Sequence, residues 1–262
     1  MWDPGSYLRY GDERSRPFHD LLARVGAERP RAVVDLGCGP GTLTATLARR
    51  WPTARITGLD SSPEMIDRAR TLDTPVDFAL GDVADWHPAP DVDVLVANAV
   101  LQWVPDHPAL LRRWAGELPA GGWLAFQVPG NFAAPAHRAL RAVAAGPRWA
   151  GTVRPLLREA PVDDPLGYAT SLAAAGCAVD AWETTYLHRL PAAAEHPVLN
   201  WLDGTALRPV RAVLDDTGYA DFRAALGIRL ARAYPVRQGQ VYFPFRRIFV
   251  VARTGARAEE KQ

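Results

Sequence analysis

The chain has 262 residues, 48% of them hydrophobic, and a formal net charge of +1 at pH 7, which suits a globular α/β protein of one large or two small domains. Because its charges nearly balance, nothing favours binding to nucleic acid or to an anionic membrane. The cysteines, Cys38 and Cys177, form no C-x-x-C motif, so we expect no disulfide scaffold and a cytoplasmic protein. No apolar stretch approaches the ~20 residues of a membrane helix.

Strands alternate with helices in the first half of the chain. Apolar runs predict buried strands that end at Leu36, Asp60, Leu80, Ala97 and Val128, and apolar residues at helical spacing lie between most of them. This alternation predicts an α/β fold with a doubly wound, mostly parallel sheet. In such sheets ligands bind beyond the carboxyl ends of the strands.

The second half follows a looser pattern. Residues 130–190 are predicted to be mostly helical and to end in a strand near 179–188, and 195–235 to form further helices before a long strand at 241–253. We therefore predict an N-terminal lid and helix at 1–30, a cofactor-binding core at 31–130, a mostly helical cap with the last strands at 131–253, and a flexible tail at 254–262.

A glycine-rich turn joins the first strand to the first helix of the core. The run Asp35-Leu36-Gly37-Cys38-Gly39-Pro40-Gly41 allows a sharp turn and a close ligand approach. A dinucleotide fingerprint would have its third glycine at position 42, which is Thr42. An ordinary tight turn remains the alternative for the glycines. Cys38 is expected to pack beside a cofactor, although a helix N-terminus could lower its pKa.

Three acidic residues lie at the carboxyl ends of successive strands. Asp35 would repel a pyrophosphate but suits a cationic group such as the ammonium of S-adenosylmethionine. Asp60 lies about 20 residues beyond the turn, where a carboxylate can accept from both ribose hydroxyls, and Asp82 can accept from the adenine amino group. The alternatives are a helix cap for Asp60 and a loop carboxylate for Asp82. Together the turn and the acids predict S-adenosylmethionine as the cofactor.

Longer blocks resemble a known family. The segments 35–41, 60–65, 81–82 and 98–103 resemble the class I methyltransferases. Further blocks at 2–8, 14–17, 103–107, 129–132, 182–186 and 244–249 resemble the trans-aconitate 2-methyltransferases. The resemblance extends from Trp2 to about Ala252. It implies a carboxyl O-methyltransferase that forms a monomethyl ester of trans-aconitate, a small tricarboxylate.

Two sets of residues make up the predicted site. The cofactor-binding set is Arg14, Asp35, Gly37, Cys38, Gly39, Gly41, Asp60, Ser61, Met65, Asp82, Val83, Asn98 and Trp103. The substrate-binding set is Tyr7, His137, Arg208, Arg246 and Arg247. The alternatives are core packing for Trp103, a surface histidine for His137, interaction with a helix macrodipole for Arg208, and a solvated surface pair for Arg246 and Arg247.

The chemistry of the predicted acceptor needs little from the protein. A carboxylate is ionised at neutral pH, so we expect no general base, and the scattered histidines give no metal site. Catalysis is expected to consist of alignment and exclusion of water, with the segment from Tyr7 to Arg16 as a lid. Two alternatives stay open: a methyltransferase for another small or carrier-bound carboxylate, and a non-catalytic regulator that binds S-adenosylmethionine. We expect a monomer or a weak homo-oligomer.

Overall fold

The computed structural model of the protein describes residues 11–255, with side chains from residue 15 onwards. Within this range the chain forms two compact units. The sheet unit contains residues 12–129, 162–184 and 247–255, and the helical unit contains residue 11, 130–161 and 185–246. Both units are therefore assembled from separate segments of the chain, whereas the predicted segments are continuous in sequence.

Seven strands form one sheet, in the order β3-β2-β1-β4-β5-β7-β6. The strands are β1 (Ala32–Leu36), β2 (Arg55–Asp60), β3 (Asp77–Leu80), β4 (Val92–Asn98), β5 (Trp123–Pro129), β6 (Cys177–Pro191) and β7 (Gln240–Thr254). Strands β1 to β5 pair in parallel, and β7 pairs antiparallel to β5. The predicted doubly wound, mostly parallel sheet is confirmed. Because β1 pairs with both β2 and β4, the chain reverses its direction across the sheet beside β1.

The helices connect these strands. They are α1 (Gly11–Leu22), α2 (Thr44–Arg50), α3 (Pro63–Ala69), α4 (His107–Glu117), α5 (Pro135–Ala144), α6 (Pro165–Ala174), α7 (Pro197–Asp203), α8 (Arg208–Val213) and α9 (Asp216–Ala233), with 3-10 turns at Leu101–Trp103 and Arg154–Leu156. Helix α3 begins as predicted, since the Ser62 hydroxyl accepts a hydrogen bond from the Met65 amide at 3.3 Å. No helix within residues 11–255 is long and apolar enough to span a membrane.

Each unit has its own apolar core. In the sheet unit, Trp114 of α4 and Phe126 of β5 are completely buried, and Tyr168 of α6 meets Phe126 edge to face at 5.1 Å. In the helical unit, Trp201 of α7 packs against Phe243 of β7, with the ring centroids 5.7 Å apart. Burying a large apolar side chain contributes about 1.5–3 kcal/mol, so these cores hold the strand ends of each unit in place.

Candidate functional site

The glycine turn after β1 has the backbone that the sequence predicts. Gly37, Gly39 and Gly41 have φ angles of 75°, 56° and 76°, in the left-handed region that favours glycine. A Cβ at Gly37 would lie 2.5 Å from the Val100 side chain, and one at Gly41 would lie 2.6 Å from the Phe78 ring. A Cβ at Gly39 would meet nothing within 4 Å. Gly37 and Gly41 are therefore required for packing, whereas Gly39 borders open space.

Asp35 is a buried carboxyl group beneath this turn. Its side chain is 3% exposed, and Thr44, the first residue of α2, donates its hydroxyl to Asp35 Oδ2 at 2.6 Å. Burial is the main cause that raises the pKa of Asp35 to about 7; the Thr44 hydrogen bond opposes it, and the nearby Asp60 charge adds a smaller increase. Because an ionised carboxyl is costly to bury without a cation, this position favours a positively charged ligand group.

Asp60 is fixed at the carboxyl end of β2 by two backbone amides. Gly39 N donates to Asp60 Oδ2 and Ser62 N donates to Asp60 Oδ1, both at 2.9 Å. The helix-cap interpretation of Asp60 is wrong, because Ser62 is the N-cap of α3. Each carboxylate oxygen has two lone pairs, so both oxygens can still accept from a ligand hydroxyl.

The other predicted cofactor residues of this region differ in exposure. Asp82 is exposed and accepts from the Ala84 amide at 2.8 Å, which fits a loop carboxylate and a ligand contact alike. Met65 and Val83 are buried, and Ser61 is exposed. These contacts leave the cofactor roles as predictions.

The Cys38 thiol is held in its protonated form. Burial raises its pKa strongly, and the negative charges of Asp35 and Asp60 raise it further. The lower pKa considered for a thiol at a helix N-terminus is therefore wrong. Cys38 is suited to packing and not to nucleophilic chemistry.

The segment after β4 presents two predicted residues. Asn98 ends β4, and its buried Oδ1 has no hydrogen-bond partner among the described residues. Ala99 follows with a φ of 57°, an uncommon angle for a residue with a side chain. Trp103 is 49% exposed, so the core-packing interpretation is wrong. A bound ligand can donate a hydrogen bond to Asn98 Oδ1 and pack against the exposed indole of Trp103.

Three predicted substrate residues, His137, Arg208 and Arg246, lie in the helical unit, and the first two differ from their alternative interpretations. His137 of α5 is mostly buried, which lowers its pKa to about 4 with help from the positive charge of Arg141, so the surface-histidine interpretation is wrong. Arg208 is exposed at the first residue of α8. A cation is stabilised at the C-terminus of a helix, so the macrodipole interpretation is also wrong.

Arg246 lies beside a cavity within the helical unit. The cavity has a volume of about 730 Å³, and its lining includes Asn131, Arg237, Tyr242 and Arg246. Arg246 donates from Nη1 to the Gly130 carbonyl at 3.3 Å. Asn131 exchanges two hydrogen bonds with the Arg246 backbone, at 2.7 and 3.0 Å. The backbone at this position is therefore fixed while the side chain borders the cavity.

Arg247 lies in the sheet unit and is only 5% exposed. Its Nη1 donates to Gln127 Oε1 at 2.9 Å, so the surface-pair interpretation is wrong for Arg247. Sequence reasoning missed Gln127, which is completely buried on β5. The available signal was one amide side chain inside the apolar run from Trp123 to Val128.

The N-terminal predictions fall largely outside the described residues. Tyr7 and most of the predicted lid precede residue 11, and the Arg14 side chain is also outside the described part, although its backbone lies in α1. Between residues 15 and 255, no group of three or more His, Cys, Asp or Glu side chains could hold a metal ion.

Comparison with known proteins gives a consistent result. A methyltransferase-domain family model matches residues 9–180. The trans-aconitate 2-methyltransferase of Mycobacterium sp. (strain KMS) is 57% identical over 262 residues, covering 97% of this chain and 100% of the relative. That of Rhodococcus jostii (strain RHA1) is 55% identical and covers 96% and 99%. The fold resembles the Bacillus subtilis YcgJ protein, with a TM-score of 0.59 at 15% identity, over 92% of this chain and 98% of that one.

Proposed function

The chain belongs to the trans-aconitate 2-methyltransferases, a family with a methyltransferase domain, and from that premise we propose that it transfers the methyl group of S-adenosylmethionine to one carboxylate of trans-aconitate. The product is a monomethyl ester. The observation that carries the proposal is 57% identity along 97% of the chain to a relative of that name. Identity that extends this far includes the second half of the chain, and not the glycine turn alone.

The residues at the strand ends fit the cofactor. S-adenosylmethionine supplies an electrophilic methyl group on a positively charged sulfur. The buried Asp35 carboxyl suits the ammonium of its amino-acid portion. Asp60, whose carboxylate is already oriented by two amides, has acceptor capacity for the ribose hydroxyls. Asn98 Oδ1 offers a further buried acceptor, and open space at Gly39 leaves room for a close approach.

The protein has no proton to remove from this acceptor. A carboxylate is ionised at neutral pH, so its oxygen is nucleophilic without a general base. His137, which is among the predicted substrate residues, has a pKa near 4. It is therefore uncharged at neutral pH. The residues of the chain therefore act by orienting the acceptor oxygen and excluding water.

The acceptor must be held by cations, because burying a carboxylate without a partner is costly. Arginine suits this role, since its guanidinium forms paired, charge-assisted hydrogen bonds with carboxylates. We assign the first such role to Arg247, which is already buried and oriented by Gln127. Arg208, Arg246, His137 and Tyr7 remain proposed acceptor ligands, and Arg14 a proposed cofactor ligand.

We also propose a cytoplasmic enzyme that works as a monomer or weak homo-oligomer and binds neither nucleic acid nor membranes. A net charge of +1 and two buried, free thiols support this assignment. Size-exclusion chromatography with light scattering tests the oligomeric state.

The direct test is product identification. Purified protein is incubated with methyl-labelled S-adenosylmethionine and trans-aconitate, and the product is analysed by mass spectrometry. We expect one labelled methyl group per acceptor, lost on mild alkaline hydrolysis as an ester would be. A protein that binds the cofactor but labels no carboxylate would instead be a binding protein without transferase activity.

A further inference from the structure

Gln127 is a completely buried amide in a strand whose other residues are apolar. It lies near the carboxyl end of β5, and its backbone carbonyl accepts from the Ala99 amide at 2.8 Å. Amide side chains are seldom placed in such a position unless their hydrogen bonds are met. The proposed function uses its side-chain oxygen to orient Arg247 and gives no role to its amide nitrogen.

The orientation of the Gln127 amide is fixed by chemistry. Arg247 Nη1 lies 2.9 Å from Gln127 Oε1, and a guanidinium has donors only. The atom that faces Arg247 must therefore be the carbonyl oxygen of the Gln127 side chain. The amide nitrogen, Nε2, then points elsewhere, and it is buried without a hydrogen-bond partner among the described residues. A buried donor with no hydrogen-bond acceptor is destabilising. This indicates that a ligand provides the hydrogen-bond acceptor for Nε2.

The neighbouring strand places this donor beside the proposed cofactor site. Asn98 of β4 is in register with Gln127 of β5, and residues in register on neighbouring parallel strands project on the same face of a sheet. The strands are about 4.8 Å apart. A ligand atom bound by Gln127 therefore lies next to a group bound by Asn98, as a methyl acceptor must lie next to its donor.

We propose that Gln127 is a specificity-determining residue that binds one carboxylate of the acceptor through Nε2, while its Oε1 orients Arg247 toward the same acceptor. This inference rests on the proposed function. The amide adds a neutral donor to the cationic donors of Arg247, which together match the acceptor sites of a carboxylate. Gln127 is thus a ligand of the acceptor and also a positioning residue for Arg247.

The test is the Gln127→Met variant, which keeps the length of the side chain and removes the amide. We expect the acceptor KM to rise about tenfold or more, with the Kd for S-adenosylmethionine within about twofold of the wild-type value. Cofactor binding, measured by calorimetry, is the control that the variant is folded. Gln127→Glu should raise KM further, because a carboxylate at this position repels the anionic acceptor.

Thr254→Val is the matched control. Thr254 is buried at the C-terminal end of β7, where its hydroxyl donates to the Pro119 carbonyl at 2.5 Å. This variant also loses a buried hydrogen bond in the sheet unit, so its Tm should fall while the acceptor KM stays unchanged. Equal Tm losses and unchanged KM in Gln127→Met and Thr254→Val would make Gln127 purely structural and overturn the inference.

A panel of dicarboxylates separates binding from folding. Each compound lacks one of the three carboxyl groups of trans-aconitate. Each compound is measured as a competitive inhibitor of trans-aconitate methylation, because a compound without the methylated group is not turned over. If Gln127 binds one of these groups, the Ki ratio between Gln127→Met and wild type should fall to about one for the compound without that group. Equal Ki ratios for all three compounds would contradict the inference. No wild-type turnover of any carboxylate would overturn the proposed function as well, whereas wild-type turnover with an unchanged Gln127→Met would overturn only this inference.

Discussion

The Thr44 hydroxyl donates a 2.6 Å hydrogen bond to Asp35 Oδ2, and both residues are buried beside the glycine turn. This hydrogen bond opposes the effect of burial on the pKa of Asp35. It therefore keeps a carboxylate available for a cation in a position that would otherwise favour the protonated acid.

Cofactor affinity should depend on the ionisation of Asp35. Its pKa in the ligand-free protein is about 7, so the Kd for S-adenosylmethionine should fall about tenfold between pH 6 and pH 8 as the carboxyl ionises. Thr44→Val should shift this dependence to higher pH, because the lost hydrogen bond stabilised the ionised form. Calorimetry across this range measures both effects. Asp35→Asn should bind weakly at every pH, and a wild-type pH dependence in that variant would exclude Asp35.

The same carboxyl should affect stability in the opposite direction. Its folded-state pKa is raised from 3.8 to about 7, so the folded state binds this proton more tightly than the unfolded state. The resulting stabilisation is fully present below about pH 4 and is lost as the pH rises through about 7. Asp35→Asn should therefore gain stability relative to the wild type between these pH values. Thermal unfolding without cofactor measures the difference, and a pH-independent difference would contradict the assignment.

Two glycines of the turn should respond differently to alanine. Gly41→Ala places a methyl group against Phe78 and Ala69 and should destabilise the fold by about 2–5 kcal/mol. Gly39→Ala meets only open space, so it should cost about 1–2 kcal/mol for the left-handed backbone and yet weaken cofactor binding at least about tenfold. Denaturant unfolding and calorimetry compare the pair. Unimpaired cofactor binding in Gly39→Ala would place the cofactor elsewhere.

The rate at saturating substrates should not require a base. The pKa of His137 is lowered to about 4 by burial, so kcat should be level from about pH 6 to 8.5, and His137→Gln should leave this profile level. The low pKa also means that unfolding takes up a proton below the ordinary histidine pKa, so His137 lowers stability as the pH falls through about 6.5. A limb near pH 7 that disappears in His137→Gln would establish a general base.

The predicted arginine ligands can be tested one by one through the acceptor KM. Arg247→Ala should raise the acceptor KM about tenfold or more, since a buried carboxylate without its partner costs several kcal/mol. Arg246→Ala and Arg208→Ala test the two predicted arginine ligands of the helical unit by the same measurement. The Kd for S-adenosylmethionine is the control and should barely change. If all three variants kept the wild-type KM, the predicted carboxylate ligands would be misplaced.

The sheet and the glycine turn were predictable because each depends on a local pattern. Uninterrupted apolar runs predict buried parallel strands, and a glycine turn after β1 predicts a ligand at its carboxyl end. The environments of single side chains were not predictable in this way. Trp103 is exposed and His137 is partly buried, although their residue types suggest the reverse, because exposure depends on which elements pack over a position.

Gln127 shows the same limit more clearly. Its role depends on Asn98 and Arg247, which lie 29 and 120 residues away in the sequence. The pairing of β5 with β4 and β7 brings both residues beside it. Periodicity identified β5 as a buried strand but gave no reason to single out one amide within it. The compact units likewise combine segments that are distant in sequence, and a pattern read along the chain does not indicate which distant segments pack together.

The most direct test of the central claim is kcat/KM for methyl transfer to trans-aconitate, measured beside other carboxylates. The panel includes cis-aconitate, the dicarboxylates described above and a carrier-bound dicarboxylate, each with labelled S-adenosylmethionine. The account predicts the highest kcat/KM for trans-aconitate, by about tenfold or more, and an ester product. A higher value for the carrier-bound acceptor, or cofactor binding without transfer to any carboxylate, would contradict it.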